Sequence, residues 1–138
     1  MELYQGIDLV SVRRLQQAAE AQGARFLNRI FSVSERAYCL PRKMKYEHLA
    51  ARFAAKEAFI KACTPVTKNP VSRGVALNQI EVRKENGGKP FLHLSPAARK
   101  KLGFPARARI ELSLAHEREF AVATVVLLCP SKTKRGSR

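Results

Sequence analysis

The stretch from Tyr46 to Ala62 constrains the fold most, because only one regular structure suits it. It holds neither glycine nor proline and repeats its apolar residues at helical spacing, which predicts a helix over 46–62 ending near Thr64-Pro65. On a wheel of about 100° per residue, Tyr46, Leu49, Phe53 and Ile60 fall within about 60° of one another, and Ala50 widens that arc. Glu57 lands inside the arc and Lys61 lies just past its edge. A carboxylate on the core side of a helix is costly unless a cation or a donor meets it. Two readings fit: a structural Glu57–Lys61 pair at i, i+4 spacing, or a carboxylate placed there for chemistry. Phe59 lies roughly 80° from Leu49 in the opposite sense, so a single core layer leaves it partly exposed.

Around this helix the remaining elements are short. Residues 2–10 read as a strand with Leu3, Gln5, Ile7 and Leu9 on one face and Tyr4, Gly6, Asp8 and Val10 on the other. Ser11 is placed to cap a helix over 12–22 that Gly23 stops. Ser32 and Glu35 have capping-box spacing and open a short helix towards Leu40, ended by Pro41. Pro65, Pro70 and Gly74 mark a loop. Residues 76–84 and 90–94 read as strands across the turn 85–89, and Ser95-Pro96 starts a helix that Gly103 ends. A hairpin of 108–115 and 119–129 follows, the second strand apolar on both faces from Val122 to Leu128. The order β-α-α-α-β-β-α-β-β predicts an α+β fold, a mostly antiparallel sheet with helices on one face.

With 138 residues, 46% of them hydrophobic and 27% charged, the chain suits one globular domain over 1–130. Residues 131–138 are basic and lack apolar side chains, so a disordered tail is expected there. No apolar run reaches the ~18 residues of a membrane span, and the N-terminus has no leader pattern. Cys39, Cys63 and Cys129 are widely spaced, with no Cys-x-x-Cys pair, which argues against a disulfide framework or zinc site and for a reducing cytoplasm. The charge is the dominant compositional fact: 26 Lys and Arg face 11 acids, a formal +15. Such a field attracts nucleic acid, anionic membranes, phosphorylated cofactors or acidic proteins without choosing among them.

Asp8 ends a half-buried strand beside a glycine that permits close backbone approach. It reads either as a cap for the next helix or, with Glu57, as one of two hard oxygen ligands for Mg2+, a metal suited to one or two carboxylates plus phosphate oxygens. His116 continues the face of Ile110, Leu112 and Leu114, either as a hydrogen-bonded structural residue or as a catalyst. His48 and His93 have no supporting pattern and read as surface residues, and the cysteines as small core residues.

Four blocks now carry a resemblance: GIDLVSVRRL at 6–15, RFAAKEAFIKA at 52–62, GGKP at 87–90 and LSLAHEREFAVATVV at 112–126. Together they resemble the holo-[acyl-carrier-protein] synthase family, the short-chain 4'-phosphopantetheinyl transferases, over nearly the whole chain. The resemblance implies an Mg2+-dependent transfer of 4'-phosphopantetheine from coenzyme A to a serine of apo acyl carrier protein, releasing adenosine 3',5'-bisphosphate and serving fatty acid biosynthesis. It implies Asp8 and Glu57 as metal ligands and catalytic residues. Lys61 is similar to the family lysine near the phosphates and His116 to the histidine near the cofactor, with Arg52 a further cofactor contact. Arg14 is similar to the basic residue that meets the acidic carrier, and Arg13 and Arg25 extend that surface. A homotrimer with active sites between subunits is implied as well. Two departures stand out. Cys63-Thr64-Pro65-Val66 replaces a Gly-Thr-Gly-type loop, and 18–22 is poorer in basic residues than in many relatives.

The competing class is a basic nucleic-acid-binding domain. Only 7% of residues are aromatic, none is tryptophan, and no stacking motif marks a strand, so neither nucleic acid nor membrane is the expected partner.

Overall fold

The computed structural model describes residues 1–131. Strand β1 (Glu2–Ser11) leads into helices α1 (Val12–Gln22), α2 (Ala24–Ile30), α3 (Val33–Cys39) and α4 (Lys45–Thr67). A single 3-10 turn (Leu77–Gln79) precedes β2 (Ile80–Lys84) and β3 (Pro90–Leu94); α5 (Pro96–Leu102), β4 (Arg109–His116) and β5 (Phe120–Cys129) complete the chain. The class is α+β, as the element order predicts, but the strands form two sheets. One is three-stranded in the order β1-β5-β4, the other is the β2-β3 ribbon, and every pairing is antiparallel. Apart from Ser131, the basic tail lies outside the described residues.

Local signals placed most boundaries. Ser11 accepts a hydrogen bond from the Arg14 backbone N–H at 3.3 Å, and Ser32 and Glu35 form a reciprocal capping box. Ser95 caps α5, which stops at Gly103 in the left-handed conformation. One element and two boundaries differ from expectation by more than a residue. Helix α2 had no advance signal, since Gly23 both ends α1 and begins α2 without a side-chain cap. The strand expected from 76 begins only at Ile80, after the 3-10 turn. Helix α4 runs through Pro65 to Thr67. Proline there removes the bond to the carbonyl of Lys61, and the helix closes where Lys68 N–H donates to the Thr64 carbonyl at 2.9 Å.

Helix α4 is the axis of the core. Its wheel predicts one buried face, yet Ala51, Ala55, Phe59 and Cys63 are buried as completely as Leu49 and Ala50. Phe59, expected to be partly exposed, is 0% exposed and packs on Phe104 with ring centroids 6.2 Å apart. The reason is non-local: Phe104, far along the chain, covers Phe59, and α3 and β2 pack on α4 as well as the large sheet.

The large sheet is buried on one face. Tyr4, Gly6, Asp8 and Val10 point inward towards α4, while Leu3, Ile7 and Leu9 stand 61%, 60% and 63% exposed on the outer face, beside a half-exposed Phe120. The register seats Leu9 opposite Val122 and Leu3 opposite Leu128, so apolar side chains of two strands share that uncovered face. Contiguous apolar surface of this kind marks an interaction site.

Candidate active site

Gly6 decides where β1 meets α4. A Cβ at this position would lie 2.1 Å from the Ala58 carbonyl oxygen and 2.8 Å from the Ala62 nitrogen, so only glycine lets the two backbones touch. Two residues on, with the alternation of the strand, Asp8 points at the same side of α4. There Lys61 Nζ donates to Asp8 Oδ1 at 3.0 Å and to the Ile7 carbonyl at 3.0 Å. The i, i+4 pair considered from the sequence is therefore not the contact formed: Lys61 bonds Asp8 across the interface, not Glu57 along its own helix. Nor does Asp8 cap α1, since Ser11 does.

Asp8 and Glu57 line one open cavity of about 920 Å³, with Arg14 and the apolar side chains of Leu15, Phe26 and Phe53. Burial raises the pKa of Glu57, the charge of Asp8 raises it further, and Lys61 opposes both. Two carboxylates thus share a wall where the charge of Asp8 disfavours ionisation of Glu57, and a divalent cation held there would relieve that repulsion. Among the described residues no three His, Cys, Asp or Glu side chains converge on one point, so the chain offers two ligands and no complete cage. Two hard oxygens with room left for phosphate oxygens match Mg2+ rather than zinc.

The raised pKa has a measurable consequence. The folded chain keeps the Glu57 proton to a higher pH than the unfolded chain, whose carboxyl titrates at its ordinary value. Between those values the folded state binds more protons, so this group's favourable contribution is lost as pH rises. A divalent cation held by Glu57 would oppose the loss. The melting temperature should therefore rise more on adding Mg2+ at about pH 8 than at about pH 5, and Glu57→Gln should abolish the difference. An equal rise at both values, or one that survives Glu57→Gln, removes Glu57 from the metal site.

The other anticipated residues occupy two further places. His116, at the end of β4, lies with Leu9, Glu117 and Phe120 on a separate cavity of about 390 Å³; Leu9 and Phe120 also line the carboxylate cavity. Its Nδ1 is 3.8 Å from Glu47 Oε2, and its ring meets that of His48 edge-on at 5.2 Å. His48, which reads from the sequence as a surface residue, is thus wedged between His116 and Tyr38. Burial lowers its pKa, and the neighbouring His116 and Arg52 lower it further.

Arg52 is 4% exposed and lies in a third cavity, of about 380 Å³, with Tyr38, Glu35, Arg83 and Lys84. Its guanidinium sits 4.4 Å from the centre of the Tyr38 ring, and its buried Nε has no hydrogen-bond partner among the described residues. Arg42 covers the same ring at 3.5 Å, and Lys84 Nζ donates to the Tyr38 hydroxyl at 2.6 Å. That hydrogen bond lowers the tyrosine pKa against the effect of burial, with help from the three cations. Three cations thus meet one ring beside an unpartnered buried N–H, while Glu35 and Glu81 line the same cavity and Glu81 pairs with Arg83. Sequence reasoning found only Arg52 here; Tyr38, Arg42 and Lys84 join it through tertiary packing, with no shared motif. Arg13, Arg14 and Arg25 are exposed on α1 and α2, and of these Arg14 borders the carboxylate cavity.

Comparison with known proteins bears on these sites. The sequence model of the 4'-phosphopantetheinyl transferase superfamily matches residues 5–125. A holo-[acyl-carrier-protein] synthase of Chloroflexus aggregans is 42% identical over 131 residues, spanning 90% of this chain and 94% of that protein. The synthase of Trichlorobacter lovleyi is 41% identical over 91% of this chain and 96% of its own. Among solved structures, the ACPS-CoA complex of Chronobacterium ammoniagenes superposes with a TM-score of 0.79 at 32% identity, covering 92% of this chain and 97% of that one. The holo-[acyl-carrier-protein] synthase of Neisseria meningitidis gives 0.77 at 30% identity, over 91% and 98% of the two chains.

Proposed function

The chain belongs to the 4'-phosphopantetheinyl transferase superfamily, and from that premise we propose that it is a holo-[acyl-carrier-protein] synthase. It moves the 4'-phosphopantetheine arm of coenzyme A onto a serine of apo acyl carrier protein, in support of fatty acid biosynthesis. The observation that carries this reading is the Asp8–Glu57 pair on the wall of a cavity bordered by Arg14. Relatives carrying the synthase name at about 40% identity support it, as does the likeness to a coenzyme A complex.

Serine Oγ bonds to the β-phosphorus of coenzyme A, the bridging oxygen on the α-phosphate side departs, and adenosine 3',5'-bisphosphate leaves. Such a reaction needs positioning and charge neutralisation more than covalent help from the protein. Asp8 and Glu57 would hold Mg2+, which when bound supplies positive charge at the pyrophosphate. Lys61 adds a second positive charge beside Asp8, and His116 a contact to the cofactor. The Arg52 cluster offers a place for a further phosphate of the coenzyme. The serine proton needs an acceptor: of Glu57 and Glu117, Glu57 lines this cavity.

The uncovered face of Leu3, Ile7 and Leu9 supports a homotrimer, whose number comes from the family resemblance. Leu9 and Phe120 touch both that face and the two cavities, so assembly on it puts the active sites at subunit interfaces. Residues 1–130 then act as one transferase domain in the cytoplasm. The charge serves a phosphate-rich cofactor and an acidic carrier, with neither nucleic acid nor membrane required. No helix among the described residues is long and apolar enough to cross a membrane.

The carrier surface is tested by salt and by charge reversal. Exposed charges are screened within ~8 Å at 0.15 M ionic strength, so added salt should raise the carrier KM. Arg14→Glu, on an exposed position, should raise it by about tenfold or more while the coenzyme A KM stays within about twofold. A carrier KM indifferent to both changes would take α1 out of the docking surface.

A further inference from the structure

Lys56 and Glu35 play no part in the chemistry above, yet both are completely buried and paired at 2.6 Å. Lys56 Nζ is surrounded by three acceptors: Glu35 Oε1, the Leu77 carbonyl at 3.0 Å and the Ile80 carbonyl. Three acceptors around one nitrogen require three N–H groups, which is the ammonium form. Glu35 is equally saturated. Its Oε1 also accepts the Ser32 N–H at 3.0 Å, and its Oε2 the Val82 N–H at 3.1 Å.

The arrangement is explained by the ribbon it touches. Among the described residues strand β2 pairs only with β3, so its other edge presents backbone groups with no described strand opposite. Two of those groups, the Ile80 carbonyl and the Val82 N–H, meet Lys56 as donor and Glu35 as acceptor. The ion pair stands in for the missing strand and fastens the ribbon to α3 and α4. The same ribbon brings Lys84, and Arg83 paired with Glu81, to the cavity whose other side carries Arg52, one helical turn before Lys56, and Tyr38, one turn after Glu35.

We propose that Lys56 and Glu35 are positioning residues for coenzyme binding: by docking the β2-β3 ribbon they set Lys84 against Tyr38 and so shape the cleft that Arg52 lines. The proposal rests on the reading of that cleft as a phosphate site of the coenzyme. Misplacement by about 1 Å can cost on the order of 100-fold, so loss of this anchor is felt at the cofactor and not at the carrier.

The test compares steady-state constants of three variants of the full-length protein. Glu35→Gln/Lys56→Met removes both charges together, leaving no unpaired charge in the core. It should raise the coenzyme A KM by about tenfold or more, with kcat and the carrier KM within about twofold, and should speed amide exchange at Val82. Lys84→Met, on the surface, should raise the coenzyme A KM with an unchanged melting temperature. Arg52→Gln reports on the cleft itself. If Arg52→Gln raises that KM while the double variant lowers only the melting temperature, the pair is merely structural and the inference falls. If the double variant does not fold, Lys84→Met decides, and an unchanged coenzyme A KM there overturns the inference. If Arg52→Gln also leaves the constant unchanged, the cleft is no cofactor site and the reading beneath the inference falls with it.

Discussion

Asp8→Asn and Glu57→Gln should each lower the transfer rate by about 100-fold or more at saturating coenzyme A, while the melting temperature moves by only a few degrees. Both replacements are near-isosteric, so packing survives and the loss falls on a hard anionic oxygen. The stability side follows from the geometry. Asp8 loses its pairing with Lys61, whose side chain is more than half exposed, and pairs of that kind are worth about 1 kcal/mol at most. Glu57 already holds its proton more tightly than an ordinary glutamate because of burial and the neighbouring Asp8, so a neutral amide costs the fold little. Raising Mg2+ should recover part of the activity of Asp8→Asn if the remaining ligand still binds the metal weakly. Near wild-type rates for either variant at limiting Mg2+ would contradict the ligand assignment.

The second large effect is expected at the outer face of the three-stranded sheet. On the proposed assembly through this face, Ile7→Glu should leave single chains of 15.4 kDa and abolish most of the activity. Fully covering one leucine or isoleucine contributes about 1.5–3 kcal/mol, and Leu3, Ile7 and Leu9 each still expose more than half their surface. A carboxylate set among these apolar side chains in a closed interface, with only Thr124 opposite and Gln5 beside it to donate, costs several kcal/mol. The inward face, with Gly6 and Val10 against α4, is untouched, so helical and strand signals should persist in the dissociated chain. Sedimentation with a parallel activity assay reads both quantities. A wild-type protein that is fully active at 15.4 kDa, or an Ile7→Glu variant that stays assembled and active, would end the interface-site account.

How far the sequence reached depended on the range of each interaction. Ser11, the Ser32–Glu35 box and the Ser95–Gly103 limits were legible because capping acts within a turn of the helix. Gly6 and Asp8 were legible together, since alternation alone puts a close approach and a carboxylate on one strand face. Glu57 declared itself by lying on an apolar arc. What stayed hidden was set by distant partners. Lys61 could be placed beside Glu57 by spacing, but only the contact of β1 with α4 sends it to Asp8. Phe59 seemed surplus to one core layer because the cover supplied around Phe104 lies far along the chain. The cluster of Tyr38, Arg42, Arg52 and Lys84 draws on two helices, the loop between them and a strand, and no local pattern links these residues.

The central claim, transfer of the phosphopantetheine arm, meets its most direct test in the mass of the carrier. Purified protein, apo acyl carrier protein, coenzyme A and Mg2+ are incubated together, and the intact carrier and the released nucleotide are measured at intervals. The account predicts that each carrier gains one 4'-phosphopantetheine group on a single serine, with adenosine 3',5'-bisphosphate appearing in equal amount. A carrier that keeps its mass while the protein remains folded and binds coenzyme A would contradict it.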